Sequence, residues 1–441
     1  MLLLLVACGR TAQQPATGDG GGSSAAGGAT AQSCLYPLTL PQAPTNPNPG
    51  ERAFQLSTPF PVQLTGDSQN LASLAATLDV NGDLVSDLFF VNDAGAQSRF
   101  RLLLSGAPPN IFDYTETTCS ALEQLPAGRR LFLRDLDDDA VPDFIVATNL
   151  GVKAFLNHPH GLEPVLDSVV ASSPVAIINL DTADLDGDGR TDLVLSYDHD
   201  KAANDIWFAS GIVMFQQNQD GTFAETIRSY TGYATDDQTG QIYTGYFAVG
   251  PFGPAKQTTV VATAIGDSED FAELPFLVGQ GIVAPEVVDS INQLANVRDS
   301  DGSEYLGAIG FNNFYLLDAS VTPARVAFQG SLAYAGNFSA PHYGSQDLPR
   351  FFFYDFDHDG DDDFFESKDG PARPDQPELA LHINLGGQLF AEPQRFPIHL
   401  NNTTDAPFLL VGPGSGLVTS PDAIEPKSAA YTLYPAANAA P

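Results

Sequence analysis

Asp184-Leu-Asp186-Gly-Asp188-Gly-Arg190-Thr-Asp192 runs directly into the apolar stretch Leu193-Val-Leu195. Carboxylates stand at positions 1, 3, 5 and 9 of this segment. Oxygens on alternate residues of a tight loop can converge on one hard cation, and Ca²⁺ accepts roughly 6–8 of them in flexible geometry. The backbone carbonyl at position 7, that of Arg190, completes such a cage. Mg²⁺ is less suited, because it demands near-ideal octahedra and keeps its waters.

The template recurs in Asp79-Val-Asn81-Gly-Asp83-Leu-Val85-Ser-Asp87, in Asp135-Leu-Asp137-Asp-Asp139-Ala-Val141-Pro-Asp143 and in Asp355-Phe-Asp357-His-Asp359-Gly-Asp361-Asp-Asp363. Val85, Val141 and Asp361 hold the carbonyl position. Positions 1, 3, 5 and 9 of the four loops hold 15 aspartates, so each is a knot of mutual repulsion without metal. Up to four Ca²⁺ are the expected cofactors and would move the formal charge from −35 to −27. An EF-hand is excluded: it needs flanking helices and a bidentate Glu at position 12, where these loops have Phe90, Val146, Leu195 and Glu366 inside β-patterned runs. Position 6 favours glycine because the turn needs positive φ. Gly189 and Gly360 supply it and Leu84 and Ala140 do not, so the 184–192 loop is expected to bind most tightly and 355–363 next.

Degenerate copies complete a series. Val249-Gly-Pro251 to Val261 keeps the strand–loop–strand frame without carboxylates, Val297-Arg-Asp299-Ser-Asp301-Gly302 keeps half of them, and Leu410-Val-Gly412-Pro413 echoes the first. Loop starts at 79, 135, 184, 251, 297, 355 and 413 define seven units. A second landmark follows within the units: Asn157-His158-Pro-His160-Gly161, Asn218-Gln-Asp-Gly221-Thr-Phe223 and Asn384-Leu-Gly-Gly387-Gln-Leu-Phe390. Asn and Gly there suit the left-handed backbone of a hairpin turn. Two hairpins per unit make a four-stranded antiparallel sheet, and radial repetition of such sheets makes a β-propeller. The expected fold is all-β, a seven-bladed propeller spanning 51–441. Phe60-Pro-Val-Gln-Leu64 resembles Phe396-Pro-Ile-His-Leu400, so the amino-terminal strand is expected to close the last blade.

The loops and the Asn218–Phe223 turn resemble FG-GAP repeats, also called VCBS repeats, of the integrin α-subunit type of propeller. The resemblance covers about 65–436, strongly in units three and six. It implies Ca²⁺ at the four loops, where such ions mostly stiffen hairpins, with ligands bound elsewhere. Because strands alternate direction, the second-to-third connections lie on the face opposite the aspartate loops; they include 92–99, 198–206, 266–275 and 367–378. The most elaborate is Tyr197-Asp-His199-Asp200-Lys-Ala-Ala-Asn204-Asp-Ile-Trp207. Its Tyr197, His199, Asp200, Asn204 and Trp207 are the candidate ligand-binding residues, a mixture suited to a sugar or a peptide. The alternative is an ordinary insertion whose Trp packs at a blade edge.

Residues 2–7, Leu-Leu-Leu-Leu-Val-Ala, followed by Cys8 and Gly9, resemble a bacterial lipoprotein signal. That resemblance implies lipidation at Cys8 and a cell-envelope location. Six apolar residues without a basic region are short for a complete signal, so residues 1–8 are expected to be a truncated one. Residues 9–50 are rich in Gly, Ala, Ser, Thr, Pro and Gln and are expected to be a flexible linker. Cys34 and Cys119 are then left as a candidate disulfide pair, the alternative being two unpaired thiols.

Charge and composition narrow the function. Asp plus Glu number 54 against 19 Lys plus Arg, and a surface of net charge −35 repels phosphate backbones, which excludes nucleic acid as a partner. There is no Walker loop, dinucleotide fingerprint, His-Glu-x-x-His helix or Gly-x-Ser-x-Gly elbow. His158 and His160 bracket a turn, where solvated histidines are the plainer reading than metal ligands. The expected protein is a non-enzymatic binding or adhesion module of the cell envelope, a monomer whose partner is an extracellular glycan or protein. A polysaccharide- or phosphoester-active enzyme on the same scaffold is the alternative, and a structural envelope component the third.

Overall fold

The computed structural model describes residues 33–36, 38, 60–61, 63–65, 71–81, 83, 85–92, 99–106, 113–128, 130–170, 175–199, 210–231, 242–243, 247–253, 256, 258–266, 276–278, 293–310, 312–321, 323–333, 351–355, 359–367, 379–396, 408–410, 416–419 and 432–435. These residues are almost wholly β. Two short strands, β1 (Phe60–Pro61) and β2 (Gln63–Thr65), precede β3 (Leu71–Leu78), β4 (Asp87–Asn92), β5 (Arg99–Leu104) and β6 (Asp113–Thr117). The next two sheets are β7 (Arg130–Arg134), β8 (Asp143–Ala147), β9 (Gly151–His158), β10 (Gly161–Val169), and β11 (Val175–Ala183), β12 (Asp192–His199), β13 (Ser210–Gln217), β14 (Phe223–Thr231). Then come β15 (Ile242–Tyr243), β16 (Phe247–Gly250), β17 (Thr259–Gly266), β18 (Phe276–Val278), and β19 (Gln293–Arg298), β20 (Glu304–Ile309), β21 (Asn313–Asp318), β22 (Arg325–Ser331). The last are β23 (Phe351–Tyr354), β24 (Asp363–Ser367), β25 (Leu379–His382), β26 (Gln394–Phe396), and β27 (Phe408–Leu410), β28 (Gly416–Thr419), β29 (Thr432–Pro435). Among the described residues no helix is long and apolar enough to cross a membrane.

The strands build a β-propeller of four-stranded antiparallel blades. Among the described residues five blades are complete meanders in chain order: β3–β6, β7–β10, β11–β14, β19–β22 and β23–β26. This corrects the expectation of seven. The two remaining sheets are assembled otherwise. In one, β17 is the hub for β15, β16 and β18; in the other, β27, β28 and β29 are joined by β1, with Phe60 opposite Leu433. They belong to the two repeats whose loops, starting at 251 and 413, carry no carboxylate. The amino-terminal segment also reaches the first sheet, where β2 runs parallel to β6.

Period-two alternation explains how the blades stack. In β8, Phe144 and Val146 pack with Phe89, Phe100 and Leu102 of the preceding blade. Ile145 and Ala147 point the other way, into a cluster with Leu193, Leu195 and Tyr197 of β12. Val194, between them, joins Phe247, Val249 and Ala262. Farther on, Phe314 of β21 stacks on Phe364 of β24 with ring centroids 4.4 Å apart. Each fully buried side chain of this size contributes roughly 1.5–3 kcal/mol. First strands neighbour one another: β3 and β7, β11 and β16, β16 and β19, β19 and β23, and also β27 and β3.

Cys34 and Cys119 form a disulfide, with Cα atoms 5.7 Å apart. The segment around Cys34 is embedded: Leu35 and Leu38 are buried in the cluster between the first two complete blades. Ser33 N donates to Pro159 O at 2.8 Å, and Asn157 Nδ2 donates to Leu35 O at 2.6 Å.

Candidate functional site

Position 9 of each aspartate loop is the first residue of a second strand, and its carboxylate is turned back onto the backbone. Asp192 Oδ2 accepts Leu185 N at 3.0 Å and Oδ1 accepts Gln217 N at 2.9 Å. Asp143 accepts Leu136 N and Asn157 N, each at 2.7 Å. Asp87 accepts Val80 N at 2.8 Å and Ser105 N at 2.7 Å. Asp363 accepts Asn384 N at 2.7 Å. In the first three of these loops the ninth residue thus ties the start of its own loop to the end of the third strand. All four are buried. Burial pushes Asp143 up to about 7 and Asp87 up to about 6, against amide donors that pull the other way. Burial also raises Asp192.

Position 1 braces the loop crown. Asp184 Oδ1 accepts Gly187 N at 2.7 Å and Asp188 N at 3.1 Å, and Oδ2 accepts Gly189 N at 2.9 Å. Asp135 takes Asp139 N at 3.2 Å and Ala140 N at 2.9 Å; Asp355 takes Asp359 N and Gly360 N, both at 3.0 Å. Asp79 accepts Asp83 N at 3.2 Å, which Asn81 Oδ1 also accepts, at 3.0 Å. Position 5 accepts the amide of position 7 in every loop: Val85 on Asp83, Val141 on Asp139, Arg190 on Asp188 and Asp361 on Asp359. In the third blade Arg190 also pairs its guanidinium with Asp188 and donates Nε to Gln217 O at 2.9 Å.

These bonds leave carboxylate oxygens converging. Ligand atoms of Asp184, Asp186 and Asp192 lie within 4.8 Å of one another, and so do those of Asp135, Asp137 and Asp143. The donors are all hard oxygens on flexible side chains, a set that fits Ca²⁺. The Asp79 and Asp355 loops share the backbone frame; Asp357 lies outside the described residues. The residues at position 12, Phe90, Val146, Leu195 and Glu366, are all buried, so none reaches a loop cation.

Position 6 is left-handed in the three loops where it is described. Gly189 has φ +82° and Gly360 φ +102°, and Ala140 is forced to +65°. A side chain costs about 1–2 kcal/mol there. Ala140→Gly is therefore expected to stabilise the protein by about 0.5–1 kcal/mol, after the greater unfolded-state freedom of glycine is subtracted. A urea midpoint that stays still or falls would refute it.

Loops without the full aspartate set have other solutions. In the 251 loop, Phe252 is buried in the neighbouring core cluster. In the loop at 299, Asp299 is buried and its Oδ1 accepts Ser300 N at 2.8 Å and Gly387 N at 3.1 Å, the latter from the next blade.

Two expectations need correction. Tyr197, expected among ligand-contacting residues, is buried in the core between the second and third complete blades, because it shares one strand face with Leu193 and Leu195. The turn asparagines are not left-handed. Gly161, Gly221, Gly386, Gly387 and Gln388 carry the positive φ. Asn157 and Asn384 instead donate their side-chain amides to Pro142 O and Asp362 O, each at 3.3 Å. Gln217, which the sequence did not flag, donates Nε2 to Leu136 O of the preceding blade at 2.7 Å. Its signal was available: Asn157, Gln217 and Asn384 all end or follow a third strand.

His199 ends β12, opposite Val175. Asp200, Asn204 and Trp207 lie outside the described residues, as do Cys8 and most of the four long connections. Antiparallel pairing of β4 with β5, β12 with β13, β17 with β18 and β24 with β25 is described, and the ends of these strands at Asn92, His199, Gly266 and Ser367 lie away from the aspartate loops.

Residues 135–195, from the second aspartate loop through the third, match the FG-GAP-like repeat family. Comparison with curated proteins finds no match. Among solved structures, an Agrocybe aegerita lectin with specific recognition of non-reducing terminal N-acetylglucosamine is 14% identical, covering 78% of this chain and 84% of its own at a TM-score of 0.42. The V. cholerae biofilm matrix protein Bap1 is 12% identical, covering 91% of each chain at a TM-score of 0.31. The chain thus carries an FG-GAP-like repeat, set in a β-propeller of four-stranded antiparallel blades.

Proposed function

We propose that this protein is a calcium-stiffened propeller of the bacterial cell envelope, lipid-anchored through Cys8, that binds an extracellular glycan or protein without catalysis. One observation carries the reading: two loops each bring three aspartate ligand atoms within 4.8 Å of one another. Bound Ca²⁺ would cancel the repulsion among these carboxylates and lock the crown between first and second strands. Asp184, Asp186, Asp188, Asp192 and the Arg190 carbonyl would hold one ion, with the matching residues of the other loops holding the rest. The ions would stiffen one end of each of the four sheets that carry a full aspartate loop. The ligand is then received at the other end, by connections of uneven length such as 200–209, which contains Asp200, Asn204 and Trp207.

Thermal unfolding of the full chain in millimolar Ca²⁺, Mg²⁺ and chelator tests the metal. Ligand that binds only the native state adds about 2.7 kcal/mol per site at a hundredfold excess over Kd. A rise specific to Ca²⁺ is expected; identical melting in all three solutions would overturn the reading. A panel of glycans and extracellular proteins, assayed for binding and for product release, tests the rest. Binding without product supports the proposal, and turnover overturns it.

A further inference from the structure

We propose that the second complete blade carries a site for a borderline transition dication such as Zn²⁺, formed by Asp137, Asp139 and His158. It shares Asp137 and Asp139 with the calcium reading and adds His158, which that reading leaves out. Ligand atoms of these three residues lie within 4.8 Å of one another, and an imidazole nitrogen is among them. Imidazole with carboxylates is the donor set of Zn²⁺ and its first-row neighbours, whereas Ca²⁺ takes oxygen almost alone.

Comparison with the third blade shows what is particular here. There, Asp188 at position 5 is neutralised by Arg190, and the third strand is followed by Asn218, whose Nδ2 is spent on Thr222 Oγ1 at 3.0 Å. In the second blade position 7 is Val141, which brings no charge to Asp139, and the residue matching Asn218 is His158. The match is structural, because Asn157 and Gln217 make the same bond to the ninth-position aspartate. Glu163 supplies a further feature: its Oε2 lies 3.4 Å from His158 Nε2. A carboxylate against one imidazole nitrogen fixes the ring, the arrangement found behind metal-bound histidines. In the proposed site that leaves Nδ1 as the nitrogen open to the metal. Ligand atoms on a tetrahedral ion with bonds of ~2.1 Å stand about 3.4 Å apart, so closure takes only side-chain rotation. Asp137 and Asp139 are exposed and His158 is partly so, which leaves an open path for the ion and a fourth position for water.

The test is competition with a chromophoric zinc chelator at neutral pH, using the full chain with Cys8→Ser throughout, since a free thiolate would compete. The parent chain is expected to take up one Zn²⁺ equivalent that His158→Asn, the third blade's own solution, weakens at least tenfold. His160→Asn should leave that affinity unchanged. Co²⁺ substitution should give visible d–d bands that His158→Asn abolishes. Equal zinc affinity and equal Co²⁺ spectra in the parent and His158→Asn would overturn the proposal. The Ca²⁺-dependent melting rise, measured on the same two proteins with zinc removed, is expected to be the same in both, because His158 is not among the calcium ligands, so the zinc and calcium readings fail separately.

Discussion

Asp143→Ala is expected to lose about 3–5 kcal/mol of unfolding free energy in chelator, and in calcium to lose its loop's share of the calcium-dependent gain as well. Its carboxylate accepts two buried backbone amides, from Leu136 and Asn157, and alanine leaves both without an acceptor. Each orphaned donor costs about 1–3 kcal/mol. Asp137→Ala makes the contrast. That residue is exposed at position 3, so its removal should cost no more than about 0.5 kcal/mol in chelator while reducing the calcium-dependent gain. Urea unfolding of both variants with and without Ca²⁺ separates the roles. Equal losses for the two in chelator would show that position 9 is no more structural than position 3.

The second large effect lies at the disulfide. Cys34 and Cys119 are 85 residues apart, and closing a loop of that length is worth about 4–5 kcal/mol on the chain-entropy account. Cys34→Ser with Cys119→Ser is expected to lose about 3 kcal/mol or more. It should also open the segment carrying Leu35 and Leu38 to proteolysis, because their burial is otherwise held by two hydrogen bonds to the 157–159 turn. The urea midpoint and the first tryptic cut are the readouts. An unchanged midpoint and an intact amino-terminal segment would mean that apolar contacts alone hold it.

Much of this was legible in the residues. Repeated Asp-x-Asp-x-Asp spacing locates the loops and their phase, and the apolar alternation after each loop gives the second strands. The division of labour inside the loop was not legible. A carboxylate at position 9 reads the same whether its oxygens face a cation or a backbone N–H, since both need an unhindered anionic acceptor. Tyr197 is a different kind of miss. Its polar successors Asp198, His199 and Asp200 suggest a loop, yet its two-residue phase with Leu193 and Leu195 places it in the core. The two sheets that are not meanders in chain order belong to repeats without the aspartate that fastens hairpin to third strand, and repeat length alone does not set them apart.

The alternation within β8 and β12 means that no sheet owns its core. Each apolar face is completed by the next repeat along the chain, and an excised repeat would present two greasy surfaces with nothing to cover them. Such an architecture grows or shrinks only by whole units, as masonry in an arch does, and damage at one joint is shared by its two neighbours.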